Sequence, residues 1–420
     1  MRKLMDLTME LYQIAESYKL DNFFIFGRSI DRTSAGLREG VTKFIHIHEN
    51  IQISFCGNLQ NSRISFQLNS PNAKTFRSLL EKQLLESENI DEIRPSESEL
   101  EEKIYTDHFD ASIEQITLEQ LLNWLYRLSE YTKGVQFDFS QMLIEKQVET
   151  RTFIHSKDSI LNTEKKNMIF FLLNLHVRVQ NEVLHVPIFE IVNMYNDFET
   201  KLQTLIRRIN SYNFLINNEY PDSLPTEINV IFQGQLVSKI IKKAYPALVK
   251  KIIKEDIKIS SSLDIINNPH LNYGNTGRYF TDDGEVTKVF PVIIKGVVSN
   301  EARVSCMNEL QNVEIIPNNN SESFDDDNSL ILLDQAAVLK ITKSFDFFIV
   351  CHGLLKSNGR YVQVYPSLRI EGNIVSLLQH IDKVGDEIFY SFPDQFTVGS
   401  PCLKIKKDFF TLTERGVRIL

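Results

Sequence analysis

The sequence predicts an α+β protein, with an N-terminal α+β domain over residues 1–220 and a strand-rich C-terminal domain over residues 221–420. Three observations predict this. The chain has 420 residues, more than one ordinary hydrophobic core accommodates. Helical stripes alternate with groups of hairpin-like strands rather than with single strands, which argues against a doubly wound sheet. Pro221, Asp222, Ser223 and Pro225 form a proline-rich polar stretch of the kind found between domains.

The elements follow in order. Residues 1–18 place Leu4, Leu7, Leu11 and Ile14 on one helical face. Asp6 and Glu10 fall where a signal peptide needs an apolar run. Residues 23–26, 42–48, 51–55 and 64–68 are β-branched and aromatic, separated by turn or charged residues, and read as four strands. Pro71 opens a helix with Ala73, Phe76, Leu79, Leu80 and Leu84 inward. Residues 86–103 are acidic and polar and read as an exposed connector. Leu118, Leu121, Leu122, Leu125 and Leu128 form a helical stripe ending before Gly134. Strands are expected over 135–144, 149–155 and 168–178, then a long helix over 188–209.

Beyond the boundary, 228–232 reads as a strand and 234–253 as a helix. Strands then dominate, over 289–298, 330–333, 338–341, 345–350 and 361–365. Near the C-terminus a strand ends at Arg369-Ile370, and Gly372-Asn373 opens a short amphipathic helix carrying Val375, Leu378 and Ile381. Glycine tolerates unusual backbone angles and asparagine caps free N–H groups, so this pair suits a helix entry. Gly385 is expected to stop the helix, and Gly399-Ser400-Pro401 leads into a last strand over 403–405. Gly372, Asn373 and Gly385 are therefore assigned structural roles.

Composition narrows the function. The chain is 42% hydrophobic and 24% charged with net charge −9, which is ordinary for a folded globular protein and unlike a general nucleic-acid binder, whose footprint is basic. Seven lysines lie between Lys239 and Lys258. Ile and Val are interleaved with them at helical spacing, as on a solvated helix face. Cys56, Cys306, Cys351 and Cys402 are far apart with no CxxC, which argues against a disulfide framework or a cysteine zinc knuckle. No stretch approaches the ~18–20 apolar residues of a membrane helix. A cytoplasmic protein without membrane or nucleic-acid partners is expected.

Several clusters could carry chemistry. His46 and His48 at i and i+2 on a strand share a face, and His108 with Asp107 and Asp110 could add ligands. That spacing is not diagnostic, and exposed strand histidines are common. Cys351-His352 at a strand end reads as a buried structural thiol. The Asp-rich run at 318–328 lacks calcium-loop spacing and reads as a solvated loop. Gly274 to Arg278 is too short for a phosphate-binding loop. Serine-hydrolase elbows and dinucleotide fingerprints are absent.

Four blocks in order in the C-terminal half, with one segment in the N-terminal half, carry a resemblance. They are Arg151-Thr-Phe-Ile-His-Ser156, residues 228–252, Asp282-Asp283-Gly284 with the strand that follows it, Asn312-Val-Glu-Ile-Ile-Pro317, and the closing block over 366–405. Together they resemble the TldD/PmbA family. Its catalytic members are zinc metallopeptidases, with HExxxH on the helix after the first C-terminal strand and a later Cys-Gly-Lys. Two histidines one turn apart bind the metal there, and the glutamate activates water. The corresponding helix here reads QGQLVSKIIKKAYP, without His or Glu, and Cys402 lies inside the Ser-Pro strand. The chain thus resembles the noncatalytic PmbA (TldE) side of the family.

That resemblance implies no cofactor in this chain, zinc in a TldD-like metallopeptidase partner, and a peptide substrate held between subunits, with leader-peptide removal in the maturation of ribosomally made peptides as the role. It implies substrate-facing positions at Asn272, Tyr273, Arg278, Asp282 and Asp283. Other classes remain open: a standalone peptide-binding protein, a structural homodimer, or a peptidase using an unrecognised site.

Overall fold

The computed structural model describes residues 2–20, 22–38, 41–59, 62–86, 104–131, 137–157, 159–179, 182–211, 224–225, 228–273, 276–281, 286–304, 311–317, 328–358, 360–392, 396–413 and 416–420. Two sheets organise them. The first holds β1 (Asn22–Arg38), β2 (Val41–Leu59), β3 (Ser62–Asn69), β4 (Ile104–Tyr105), β5 (Phe137–His155), β6 (Leu161–Val179) and β7 (Glu182–Val192). Its order is β3-β2-β1-β5-β6-β4, with β7 also on β6. The long central pairs are antiparallel, so successive residues alternate between two faces.

One face is covered by helices. α1 (Arg2–Ser17) and α2 (Ala73–Glu86) pack through Leu4, Leu11, Phe76 and Leu80 on Ile25, Ile53 and Phe55. α3 (Ala111–Gln115), α4 (Leu118–Tyr131) and α5 (Phe198–Ser211) cover Ile144, Ile169, Phe171 and Leu173. The α4 stripe is the one the leucine spacing predicts, with Leu121, Leu125 and Leu128 buried.

The second sheet lies wholly after residue 228. It contains β8 (Asn229–Phe232), β9 (Leu263–Asn267), β10 (Phe290–Ile294), β11 (Val297–Val298), β12 (Val313–Pro317), β13 (Ser329–Ile341), β14 (Asp346–Ser357), β15 (Arg360–Asn373), β16 (Ile381–Tyr390), β17 (Val398–Ile405), β18 (Phe410–Thr413) and β19 (Gly416–Ile419). Its order is β11-β10-β9-β12-β17-β8-β13-β14-β15-β19-β18, with β16 on β17. Helices α6 (Gly234–Ala244), α7 (Ala247–Glu255), α8 (Asn300–Val304) and α9 (Ile374–Gln379) complete this half. Leu236, Val237, Ile240, Leu248 and Ile252 anchor α6 and α7 in its core. The two halves meet where Ile331, Leu333, Leu354 and Val364 join the α4–α5 cluster.

Some expected boundaries shift. The pairs 42–48 with 51–55, 135–144 with 149–155, and 330–333 with 338–341 are single long strands, β2, β5 and β13. Polar residues at the apparent gaps, such as Glu49 or Lys146, still pair in register with their neighbours. The helix expected over 188–209 is the end of β7, a 3-10 turn at Tyr195–Asp197, and α5. Among the described residues β7 pairs with β6 on one side, and an edge strand tolerates Pro187. The helix expected over 234–253 is split at Pro246, which has no N–H to continue it.

The closing block also differs. β15 runs through Asn373, and α9 ends at Gln379. Ile381 begins β16, and Gly385 lies inside that strand rather than at a helix exit. It sits at an irregularity between Val384 and Ile388, where the register against β17 shifts. Gly372 pairs with Phe347 in β15. Asn373 Oδ1 accepts the Val375 N–H at 3.0 Å and caps α9. The expected connector at 87–103, most of the Asp-rich run, Cys306 and the Pro221-Asp222-Ser223 boundary lie outside the described residues.

Candidate functional site

α6 is the helix on which the sequence resemblance would place a metal motif. β8 delivers the chain to Gln233, and α6 starts against β17. A Cβ on Gly234 would stand 2.3 Å from the Ser400 carbonyl oxygen and 2.5 Å from the Phe389 ring. Helix and strand backbones therefore meet there with no room for a side chain. Ser238 Oγ, one turn on, donates to the Phe389 carbonyl at 2.7 Å, and Lys242 Nζ donates to the Phe392 carbonyl. The face of α6 toward β16 and β17 thus offers glycine, serine and lysine. Cys402 on β17 is half-buried, and desolvation pushes its thiol up to about 11, so it carries little thiolate at neutral pH.

Among the described residues, no group of three or more His, Cys, Asp and Glu is placed to hold a metal ion. His46 and His48 are exposed on β2, opposite Ser34 and Arg32. β1 and β5 stand between that strand and β6, beside which His108 lies, so the structure does not bring the three histidines together. Asp107 accepts from Tyr279 at 2.7 Å, and Asp110 caps α3 and accepts the Tyr195 N–H. Cys351 and His352 are buried in β14.

The face of the first sheet turned away from its helices carries a charged seam. Arg28 on β1, Glu149 and Arg151 on β5, and Glu164 and Lys166 on β6 share this face through their register. Arg28 Nε donates to Glu149 Oε1 at 2.7 Å, and Arg151 Nη1 donates to Glu164 Oε2 at 3.0 Å. Lys166 Nζ lies 3.6 Å from Glu164 and 3.9 Å from Glu149. All but Arg28 are buried. Burial alone pushes the Glu149 carboxyl up, but Lys166, Arg28 and Arg151 outweigh it and hold it at about 2. Burial lowers Lys166, and its two glutamates oppose that.

Residues 276–281 lie across this seam. Lys166 Nζ donates to the Gly277 carbonyl at 2.6 Å, and Arg151 Nη1 donates to the Phe280 carbonyl at 3.0 Å. The Arg151 guanidinium also stands 5.0 Å from the ring centres of both Phe26 and Phe280. Buried carbonyls and buried cations satisfy each other there. Gly277 rests on the His108 ring, which a Cβ would approach to 2.5 Å. Burial, then Lys166, lowers His108, whose Nδ1 has no hydrogen-bond partner. Tyr279 stacks on Tyr105 and His270.

The same segment is tied to the second sheet. Asn312 Nδ2 donates to the Thr276 carbonyl at 2.9 Å, and its Oδ1 accepts the Thr397 N–H at 2.8 Å. Tyr273 stacks on Tyr390 with ring centres 4.4 Å apart. Tyr390 donates to Glu314 at 2.7 Å, and Asn268 donates to the other carboxylate oxygen at 2.5 Å. Phe392, itself exposed, packs edge-on against Phe170 and Phe189 of the first sheet. The result is an aromatic and amide wall clamped between the two sheets.

Of the five substrate-facing positions expected from the sequence, Asn272 is exposed at the rim of this wall and Tyr273 forms part of it. Arg278 is half-buried, with its charge acting on Lys166. Asp282 and Asp283 lie outside the described residues. Sequence reading missed Glu149, Glu164 and Lys166. The available signal was opposite charge at i and i+2 within strand-like segments, Glu149/Arg151 and Glu164/Lys166, which places both members of each pair on one face.

Similar solved structures share this architecture. A candidate modulator of a DNA gyrase from Thermotoga maritima superposes with TM-score 0.74 at 13% identity, covering 95% of this chain and 98% of that one. TldE from Thermococcus kodakarensis does so with TM-score 0.74 at 12% identity, covering 95% and 98%. The chain has the TldD/PmbA fold. A candidate gyrase modulator from Bacteroides thetaiotaomicron matches with TM-score 0.73 at 13% identity, covering 96% and 97%. No protein-family model and no curated protein matches the chain in sequence. At these identities the TldD/PmbA likeness is one of fold, and it spans nearly the whole chain.

Proposed function

We propose that this chain is a noncatalytic, TldE-like subunit that pairs with a TldD-like metallopeptidase and helps hold its peptide substrate, with leader-peptide removal as the reaction served. One observation carries the reading. In a TldE-like fold, the helix that would bear the metal ligands is instead seated on β17 through Gly234 and on β16 through Ser238. A scaffold kept whole with that face filled by backbone packing acts through assembly rather than through its own chemistry.

The aromatic wall of Tyr273, Tyr390 and Phe392, with Asn272 at its rim, supplies the peptide contacts. Arg278, Asp282 and Asp283 are the other residues assigned to peptide binding. Zinc belongs to the partner. An extended peptide needs hydrogen bonds and apolar cover more than a sequence-specific pocket.

The test is co-expression with a TldD-like subunit that carries an intact HExxxH. The expected result is a co-purifying complex that trims a peptide which neither subunit trims alone, with zinc in the partner only. A partner that cleaves equally well without this chain, or one stoichiometric zinc in this chain alone, would remove the proposal.

A further inference from the structure

We propose that residues 276–281 form a pH-sensitive latch, closed over the charged seam of the first sheet at neutral pH and released when His108 takes up a proton. The inference concerns this chain by itself and stands whether or not it pairs with a metallopeptidase.

The latch is held mainly through its backbone. Lys166 Nζ donates to the Gly277 carbonyl at 2.6 Å, and Arg151 Nη1 donates to the Phe280 carbonyl at 3.0 Å. Phe280 packs with Phe26 and Phe153 of the sheet. Tyr279 donates to Asp107 at 2.7 Å and stacks on Tyr105 and His270. The catch is His108, between β4 and α3. It is 6% exposed, and its carbonyl accepts the Asn167 N–H of β6. A Cβ on Gly277 would stand 2.5 Å from His108 Cε1 and 2.6 Å from Nδ1, so the latch closes directly on that side of the ring. The Tyr279 ring centre lies 5.4 Å away.

Charge surrounds this ring on every side. Lys166 and Glu164 face it from β6, Asp107 from its own segment, and His270 from the chain that leads into the latch. Arg151 and Arg278 add positive charge around Lys166. Glu164 and Asp107 favour a protonated ring, but burial first, then Lys166 and His270, outweigh them and hold His108 below its ordinary value of 6.5. A proton there adds a cation to a buried site that already holds Lys166 and Arg151. Lifting residues 276–281 lets water reach the ring and removes that cost, so opening and proton uptake are linked.

The sign follows from the lowered value. The open form binds the proton more readily, so closure is full above about pH 6.5 and weakens as pH falls toward the value of the closed form. Burial also lowers the half-buried His270, which acts in the same direction. Glu149, held at about 2, stays ionised across this range. Opening uncovers Lys166 and Arg151 and loosens the aromatic wall, because Asn312 ties Thr276 to the same junction.

Hydrogen exchange of the purified full-length chain, read by mass spectrometry and corrected for the intrinsic pH dependence of exchange, tests the latch. The opening equilibrium of the peptide containing residues 276–281 should rise about tenfold from pH 7 to pH 5, while β1 and β5 beneath it change little. His108→Phe keeps a ring under Gly277 without a proton to gain and should remove most of the rise. Adding His270→Gln should abolish it. Exchange at the His108 Cε1–H reads its titration in the unsubstituted chain, with a midpoint expected below 6.5, and decides the matter if His108→Phe does not fold. A change of less than about twofold from pH 7 to pH 5, an undiminished rise in folded His108→Phe, or a His108 midpoint at or above 6.5 would overturn the proposal.

Discussion

Replacing Glu149 by Gln removes one buried negative charge while keeping its size. The wild-type carboxylate is flanked by Arg28, Lys166 and Arg151, and it is held near pH 2 against an ordinary carboxyl value of 4.5. At roughly 1.4 kcal/mol per pH unit, that gap corresponds to about 3 kcal/mol of folding stability at neutral pH. Loss of one member of a buried ion pair costs about 3–5 kcal/mol in general, which agrees. Arg28 is partly exposed, so solvent screens its share and favours the lower end.

The sign is fixed by the depressed value. The Glu149 contribution is full above the unfolded carboxyl value and is lost as pH falls from about 4.5 toward 2. Urea unfolding of wild type and Glu149→Gln at pH 7 and at successive steps down to pH 3 measures both effects. The variant should be about 3 kcal/mol less stable at pH 7, and the two curves should converge as the medium becomes acidic. A deficit below about 1 kcal/mol at pH 7, or one that stays constant down to pH 3, would refute the electrostatic account of the seam.

Three further expectations follow from named contacts. Asn373→Ala removes the α9 cap and the donors to Ser344 and Asp346, and a lowered Tm corresponding to about 0.5–2 kcal/mol is expected; an unchanged Tm with lost activity in the assembled complex would mean that Asn373 touches substrate. Gly234→Ala drives a methyl into the Ser400 carbonyl, so chemical unfolding should show a loss of about 1–3 kcal/mol despite alanine's better helix propensity. Cys402, pushed up to about 11, should react with iodoacetamide at pH 8 about a hundredfold more slowly in the folded chain than in urea, as followed by peptide mass spectrometry.

Much of the frame was legible in the chain. The leucine stripe over 118–128 became α4 because a 3.6-residue period can bury only one face. Val375 and Leu378 did enter a short helix behind Asn373, since the cap is a local interaction. Helix and strand ends were less legible. Glu49 and Lys146 look like breaks in an apolar run, yet a long antiparallel strand absorbs them by turning them to neighbours in register. Gly385 reads locally as a helix stop, but β17 recruits it into a strand.

The lack of His and Glu along α6 is a property of the sequence alone, because a metal motif on one helix turn is written in consecutive residues. The charged seam and the wall it supports are not written that way. Glu149 meets Lys166 through strand register, and Lys166 meets Gly277 only when residues 276–281 of the second half cross the first sheet. Periodicity tells which face of a strand a residue occupies, but not what lies over that face. Local order in the sequence therefore determined many of the elements and the absence of His and Glu along α6, whereas pairing between residues more than a hundred positions apart decided what covers the buried charge and which aromatic groups line the junction.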